Sequence, residues 1–233
     1  MRWVTTDFKK GLFRFSGRQL LASLVALLVA YPFFESFPGG DYLASSLFSV
    51  VLLSSLFAVG GRRRVLIAGI VLMSPALTFR WLPHFTSIGK DTTVPLISMA
   101  LAISFTTWQL LRFVLRARMV DAEVLCSGIS IYLLAGMLWA QFYLLAQAVA
   151  PGSFSVPSRL SGARELTSFD ALYFSLCTLT TAGYGDIAPV SRHARSLASL
   201  EALCGVLYLT VLVSRLVSLY VKGAIPADMD RSA

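Results

Sequence analysis

Long apolar runs dominate this chain, each about the length a helix needs to cross the roughly 30 Å hydrocarbon core of a bilayer. They lie at about 19–37, 42–60, 65–83, 93–112, 123–149 and 195–221 of the 233 residues. Lipid offers no partner to an unpaired backbone group, so runs this continuous must satisfy their own amides as helices. Hydrophobic residues make up 56% of the chain and charged residues only 14%, which is far from the globular balance of about 25% charged. The expected fold is an all-α membrane protein of six transmembrane helices, with little chain left for a soluble domain.

The net charge of +8 would suggest a nucleic-acid partner in a soluble protein. Here the basic residues fall in the short segments between spans, where charge sets orientation. Arg2, Lys9, Lys10, Arg14 and Arg18 precede the first span, Arg62, Arg63 and Arg64 follow the second, and Arg112, Arg116 and Arg118 follow the fourth. The other turns carry Glu35, Asp41, His84, Lys90 and Asp91. Both termini are therefore expected in the cytoplasm. A signal peptide also starts basic and then turns apolar, but the first run continues into aromatics and Pro32 with no clear small-residue cleavage site. Cys126, Cys177 and Cys204 sit in or beside apolar helices and read as packing residues rather than a disulfide or metal set.

The chain divides into a basic N-terminal segment (1–18), a four-helix transmembrane domain (19–118), a pore-like domain (119–222) and a short tail (223–233). Phe8, Leu12 and Phe15 recur at helical spacing among basic residues, which fits either a helix on the inner membrane surface or a disordered tail. Pro75 lies centrally in the third run and predicts a kink.

After the fifth run the pattern changes. Residues 150–166 are rich in Pro, Gly and Ser and read as loop. Thr167 with Asp170 three residues on resembles a helix start, and an apolar stretch follows to Thr180. About 12 helical residues rise only about 18 Å, roughly half a membrane, so this helix must enter and return. Thr180-Thr181-Ala182-Gly183-Tyr184-Gly185-Asp186 then interrupts the apolar chain with two threonines, two glycines and a carboxylate. Irregular backbone at membrane depth is tolerated only against protein or a water-filled cavity. The stretch is therefore expected to line a pore, with carbonyl oxygens replacing the water a cation loses.

Thr181-Ala182-Gly183-Tyr184-Gly185 followed by Asp186 resembles the selectivity filter of potassium channels. The resemblance covers roughly the last 110 residues, counted on the sequence from the fifth run to the sixth. It implies potassium coordination by the backbone carbonyls of Thr181, Ala182, Gly183 and Tyr184 and by the Thr181 hydroxyl. It also implies a homotetramer in a lipid bilayer, since four chains close each ring of oxygens. Ala182 stands where the family usually has valine, which suggests a less firmly held carbonyl. The Tyr184 ring is expected among aromatics, with Tyr173 and Phe174 as candidates. Many family members brace the carboxylate after the filter with tryptophan or glutamate; this chain offers Tyr173 and Cys177, and the Tyr173 hydroxyl is expected to reach Asp186. Thr180 and Gly185 complete the filter support.

In the sixth run Glu201 reads as a structural brace, paired with Arg195 or a pore-helix hydroxyl, and as a functional group by its mere presence in a membrane. Gly205 resembles the hinge glycine of channel inner helices and equally fits close helix packing. Leu209, Leu212, Val213 and Leu216 are the expected cavity and gate lining. The fourth run contains no charge before Arg112, so the layout resembles voltage-gated channels without the sensor arginines; Arg80 is an isolated charge in the third. His84 and His193 are isolated, and no nucleophile set, metal cluster or phosphate loop points to an enzyme or a cofactor. The expected activity is passive potassium conduction in a prokaryotic inner membrane. The alternatives are a weakly selective cation channel and a non-conducting sensory or transport subunit.

Overall fold

The computed structural model describes residues 16–35, 39–59, 63–85, 93–117, 119, 121–156 and 166–224. Seven helices appear in chain order among them: α1 (Ser16–Glu35), α2 (Gly40–Val59), α3 (Arg63–Phe85), α4 (Val94–Arg116), α5 (Ala122–Val149), α6 (Ser168–Leu179) and α7 (Arg192–Ala224). Two-residue strands β1 (Phe154–Ser155) and β2 (Ala188–Pro189) pair antiparallel, Phe154 opposite Pro189. Six helices overlap the six apolar runs, and α6 overlaps the expected half-length helix. Among the described residues, α1, α3, α4, α5 and α7 hold windows long and apolar enough to cross a membrane, while in α2 the apolar stretch is the shorter Ser45–Leu56. Helix α3 runs through Pro75 without a break in its assignment. Most of the amphipathic segment expected at 1–18 (residues 1–15), most of the expected tail (225–233) and the His84 side chain lie outside the described residues.

Helical spacing decides which faces meet. Leu20, Leu24 and Leu27 form a fully buried stripe on α1, and Met99, Ala102, Ile103, Thr106, Leu110 and Val114 form one on α4. Helix α1 packs on α2 and α5, and α4 packs on α2, α3 and α5. The first four helices thus lie against the pore-like part through both ends of their own series. Within that group polar contacts fix the pairing: the Trp81 indole donates to Ser49 at 3.0 Å, and the Thr106 hydroxyl lies 3.3 Å from Ser55. The opposite faces carry exposed Val29, Ile70, Val71, Leu101 and Trp108. A water-soluble chain would not leave so much apolar surface open, but a helix in lipid does.

Helix α6 sits between α5 and α7. Its start is fixed by a full capping box, in which the Thr167 hydroxyl accepts from the Asp170 amide at 3.1 Å and the Asp170 carboxylate accepts from the Thr167 amide at 3.1 Å. At the far side of the filter, β1 and β2 join the two limbs of the loop, and the Val190 amide donates to the Ser153 carbonyl at 2.8 Å.

Candidate functional site: a turn at the end of a braced half-length helix

The turn after α6 is built by hydrogen bonds back to the helix end. The Thr181 amide donates to the Thr178 carbonyl at 3.0 Å, and the Ala182 and Gly183 amides both donate to the Cys177 carbonyl, at 2.8 and 3.3 Å. Among the described residues no peptide bond is cis, and in a trans peptide the N–H and the preceding C=O point in opposite directions. With their amides turned toward α6, the peptides before Thr181, Ala182 and Gly183 therefore direct the carbonyls of Thr180, Thr181 and Ala182 away from it. The backbone alternates to achieve this. Positive φ occurs at Thr181 (58°), Gly183 (55°) and Gly185 (77°), while Ala182 and Tyr184 between them are not in that region. Glycine meets this demand at little steric cost. At Thr181, a β-branched residue in the left-handed region, it costs about 1–2 kcal/mol.

Residues 181–186 are all exposed on the single chain. The Thr180 hydroxyl bonds back to its own helix, 2.7 Å from the Leu176 carbonyl. Tyr173 lies against the filter: its ring stacks on Tyr184 with centroids 6.4 Å apart and planes 7° from parallel. The Tyr173 hydroxyl lies near the Asp186 carboxylate and the Cys177 thiol. Phe174 turns the other way, into an edge-to-face cluster with Tyr143 (5.0 Å) and Phe154 (5.5 Å). That cluster joins α6 to the β1–β2 pairing through Phe154.

Behind α6 the sequence-predicted residues Glu201 and Gly205 both face the pore helix. Glu201 is fully buried at 0% exposure. The Tyr143 hydroxyl donates to its Oε2, and the Ser175 hydroxyl lies 2.5 Å from its Oε1 and 2.7 Å from the Gly136 carbonyl. Arg195 is not its partner; that guanidinium donates to the Pro189 carbonyl at 3.2 Å. Gly205 is a close-approach position, because a Cβ there would sit 2.2 Å from the Leu179 carbonyl oxygen. The same carbonyl accepts from the Tyr132 hydroxyl at 2.9 Å. Lower down, the Tyr208 hydroxyl donates to the Gly128 carbonyl at 2.6 Å, and Arg215 donates to the carbonyls of Leu115 (2.5 Å) and Ala117 (3.3 Å) at the end of α4.

Leu212 is half-buried against Gly128 of α5 rather than open like Leu209 and Val213, and the Leu216 side chain lies outside the described residues. Of the two partners expected for Glu201, the pore-helix hydroxyl is the one present, as Ser175; sequence reasoning missed Tyr143, Tyr132 and Gly136. The available signal was that a tyrosine hydroxyl inside an apolar helix has to find a partner. Among the described residues no group of three or more His, Cys, Asp or Glu side chains could hold a metal ion.

Comparison with known proteins agrees with this geometry. A family model described as "Ion channel" matches residues 122–222, from the start of α5 to near the end of α7. The chain is 36% identical over 88 residues to the inward rectifier potassium channel Kirbac3.1 of Paramagnetospirillum magnetotacticum, covering 36% of this chain and 25% of that one. It is 34% identical over 82 residues to two pore potassium channel b of Oryza sativa subsp. japonica, covering 35% and 23%. It is 39% identical over 80 residues to protein LctB of Geobacillus stearothermophilus, covering 34% and 59%. The chain thus spans about a quarter of the length of the first two relatives. No solved structure gives a significant match. With apolar helices of spanning length before and within the matched region, the chain is built as a multi-pass membrane protein. Its segment 122–222 is thus similar to ion channels, potassium channels among them.

Proposed function

We propose that four copies of this chain surround a common axis and conduct potassium passively through a filter made of residues 181–184. One observation carries the reading: the amides of Thr181, Ala182 and Gly183 bond back to α6, so the carbonyls of Thr180, Thr181 and Ala182 turn away from it, and in the proposed filter the same wall extends to Gly183 and Tyr184. A dehydrated cation needs oxygens from all around it. A single chain supplies one wall, and its filter is exposed for want of the others. Helix α7 likewise leaves Leu203, Val206, Leu207 and Val213 open to neighbours or a cavity. The C-terminal end of α6, with its partial negative charge, then favours a cation below the filter.

In this reading six helices cross the bilayer with both termini cytoplasmic. The first four form a membrane domain without sensor charges, and residues 119–222 form the pore. Tyr173 supports both Tyr184 and Asp186. Purified protein in liposomes should take up potassium, and Gly183→Ala, which puts a side chain at φ 55°, should abolish uptake. Retained uptake in that variant would overturn the assignment of the filter. Ala182 supports a second reading, relaxed selectivity, because it fills less space behind its carbonyl than valine does. Bi-ionic reversal potentials separate the two: equal sodium and potassium permeability favours the weakly selective channel.

A further inference from the structure

The junction at Glu201 contains more acceptors than the donors around it can serve. The Ser175 hydroxyl has one proton. It lies within hydrogen-bond range of two oxygens, the Gly136 carbonyl at 2.7 Å and Glu201 Oε1 at 2.5 Å. A carbonyl can only accept, and so can an ionised carboxylate. Were Glu201 ionised, one of these two contacts would press oxygen against oxygen with no hydrogen between them. The Tyr143 hydroxyl cannot supply the missing proton, because it is already directed at Oε2.

We propose that Glu201 is held as a neutral carboxylic acid with its proton on Oε1, completing a donor chain from Glu201 to Ser175 to the Gly136 carbonyl. This proton ties α7 to the pore helix and the pore helix to α5. The surroundings point the same way. Glu201 is 0% exposed, and an unpaired buried charge costs several kcal/mol. The titratable groups that face it are Tyr143 and, further off, Tyr132, both on α5. Helix α6 presents only the neutral Ser175, and among the described residues no cationic side chain acts on Glu201.

Loss of the proton to bulk hydroxide removes the donor to Ser175 and leaves a bare charge between three helices. The pore helix end, which carries the filter, then loses one of its anchors. Raising the pH should therefore impair the channel, and a side chain that keeps the donor without being able to ionise should not respond. Glutamine is that side chain: its amide donates to Ser175 and its carbonyl accepts from Tyr143.

The test has two arms on the full chain in lipid. Infrared difference spectra of wild type against Glu201→Gln at neutral pH should show the carbonyl stretch of a protonated carboxyl group present only in the wild type. Potassium flux through the wild type should fall about tenfold across the alkaline range while that of Glu201→Gln changes less than about twofold. A carboxylate signal in place of the acid band overturns the proposal, and so does an identical pH profile in the two proteins. The flux arm rests on the potassium reading above and the infrared arm does not. A wild type that shows the acid band without flux refutes conduction and leaves the proton standing.

Discussion

Gly205→Ala tests how tightly the inner helix seats the pore helix. The added methyl carbon would lie 2.2 Å from the Leu179 carbonyl oxygen, 3.1 Å from its carbon and 3.2 Å from its Cδ1. The first distance is about 1 Å inside van der Waals contact. The obstructing atom is backbone, so no rotamer change relieves it; the end of α6 must retreat from α7 or α7 must bow. In an open helix the same substitution would stabilise by about 1 kcal/mol through propensity. Here overpacking opposes that gain with a cost near the upper end of about 1–3 kcal/mol. A retreat of α6 would also strain the 2.9 Å bond from Tyr132 to the Leu179 carbonyl, worth about 1 kcal/mol. The net expectation is a destabilisation of about 2–3 kcal/mol, read as a lowered unfolding midpoint in a denaturing-detergent titration. Flux should fall as well, because Leu179 is two residues from Thr181.

Gly128→Ala is the matched control. The atoms nearest its added carbon belong to the Leu212 side chain, at 3.3 Å, and a side chain can move. Its stability should stay within about 1 kcal/mol of wild type. If Gly205→Ala is as stable as Gly128→Ala, the close approach of α7 to the pore helix is not what makes glycine necessary there, and the packing argument fails.

Other positions give simpler expectations. Thr167→Ala removes the cap of α6 and should lower stability by about 1 kcal/mol, while Thr167→Ser, which keeps the hydroxyl, should recover most of it; equal loss in both would refute the capping role. Tyr132→Phe keeps the ring that stacks on Tyr208 at 5.9 Å and deletes only the bond to Leu179, for a loss of about 1 kcal/mol in the same titration. Arg215→Gln shortens the side chain that reaches the Leu115 and Ala117 carbonyls, so hydrogen exchange at the α4 C-terminus should accelerate; unchanged protection there would show that Arg215 does not hold that end.

The apolar runs alone determined that this chain is a bundle of membrane helices, because lipid leaves a polar backbone no other way to pair. A motif read in chain order likewise located the short helix α6: Thr167 and Asp170 mark its start, its length is about half a bilayer, and the stretch Thr181 to Asp186 follows its end. Those signals are local, governed by spacings of a few residues. What no local rule could decide is which distant groups meet. Glu201 had two plausible partners by sequence, and the tertiary structure chose Ser175 and Tyr143, 26 and 58 residues away, leaving Arg195 to a nearby carbonyl. Phe174 and Tyr173 are neighbours in the chain, yet α6 turns one ring toward Tyr143 and the other onto Tyr184. Gly205 could have been a hinge or a contact until the Leu179 carbonyl was found beside it. In each case the deciding quantity is the distance between atoms on different helices, set by how three apolar cylinders pack.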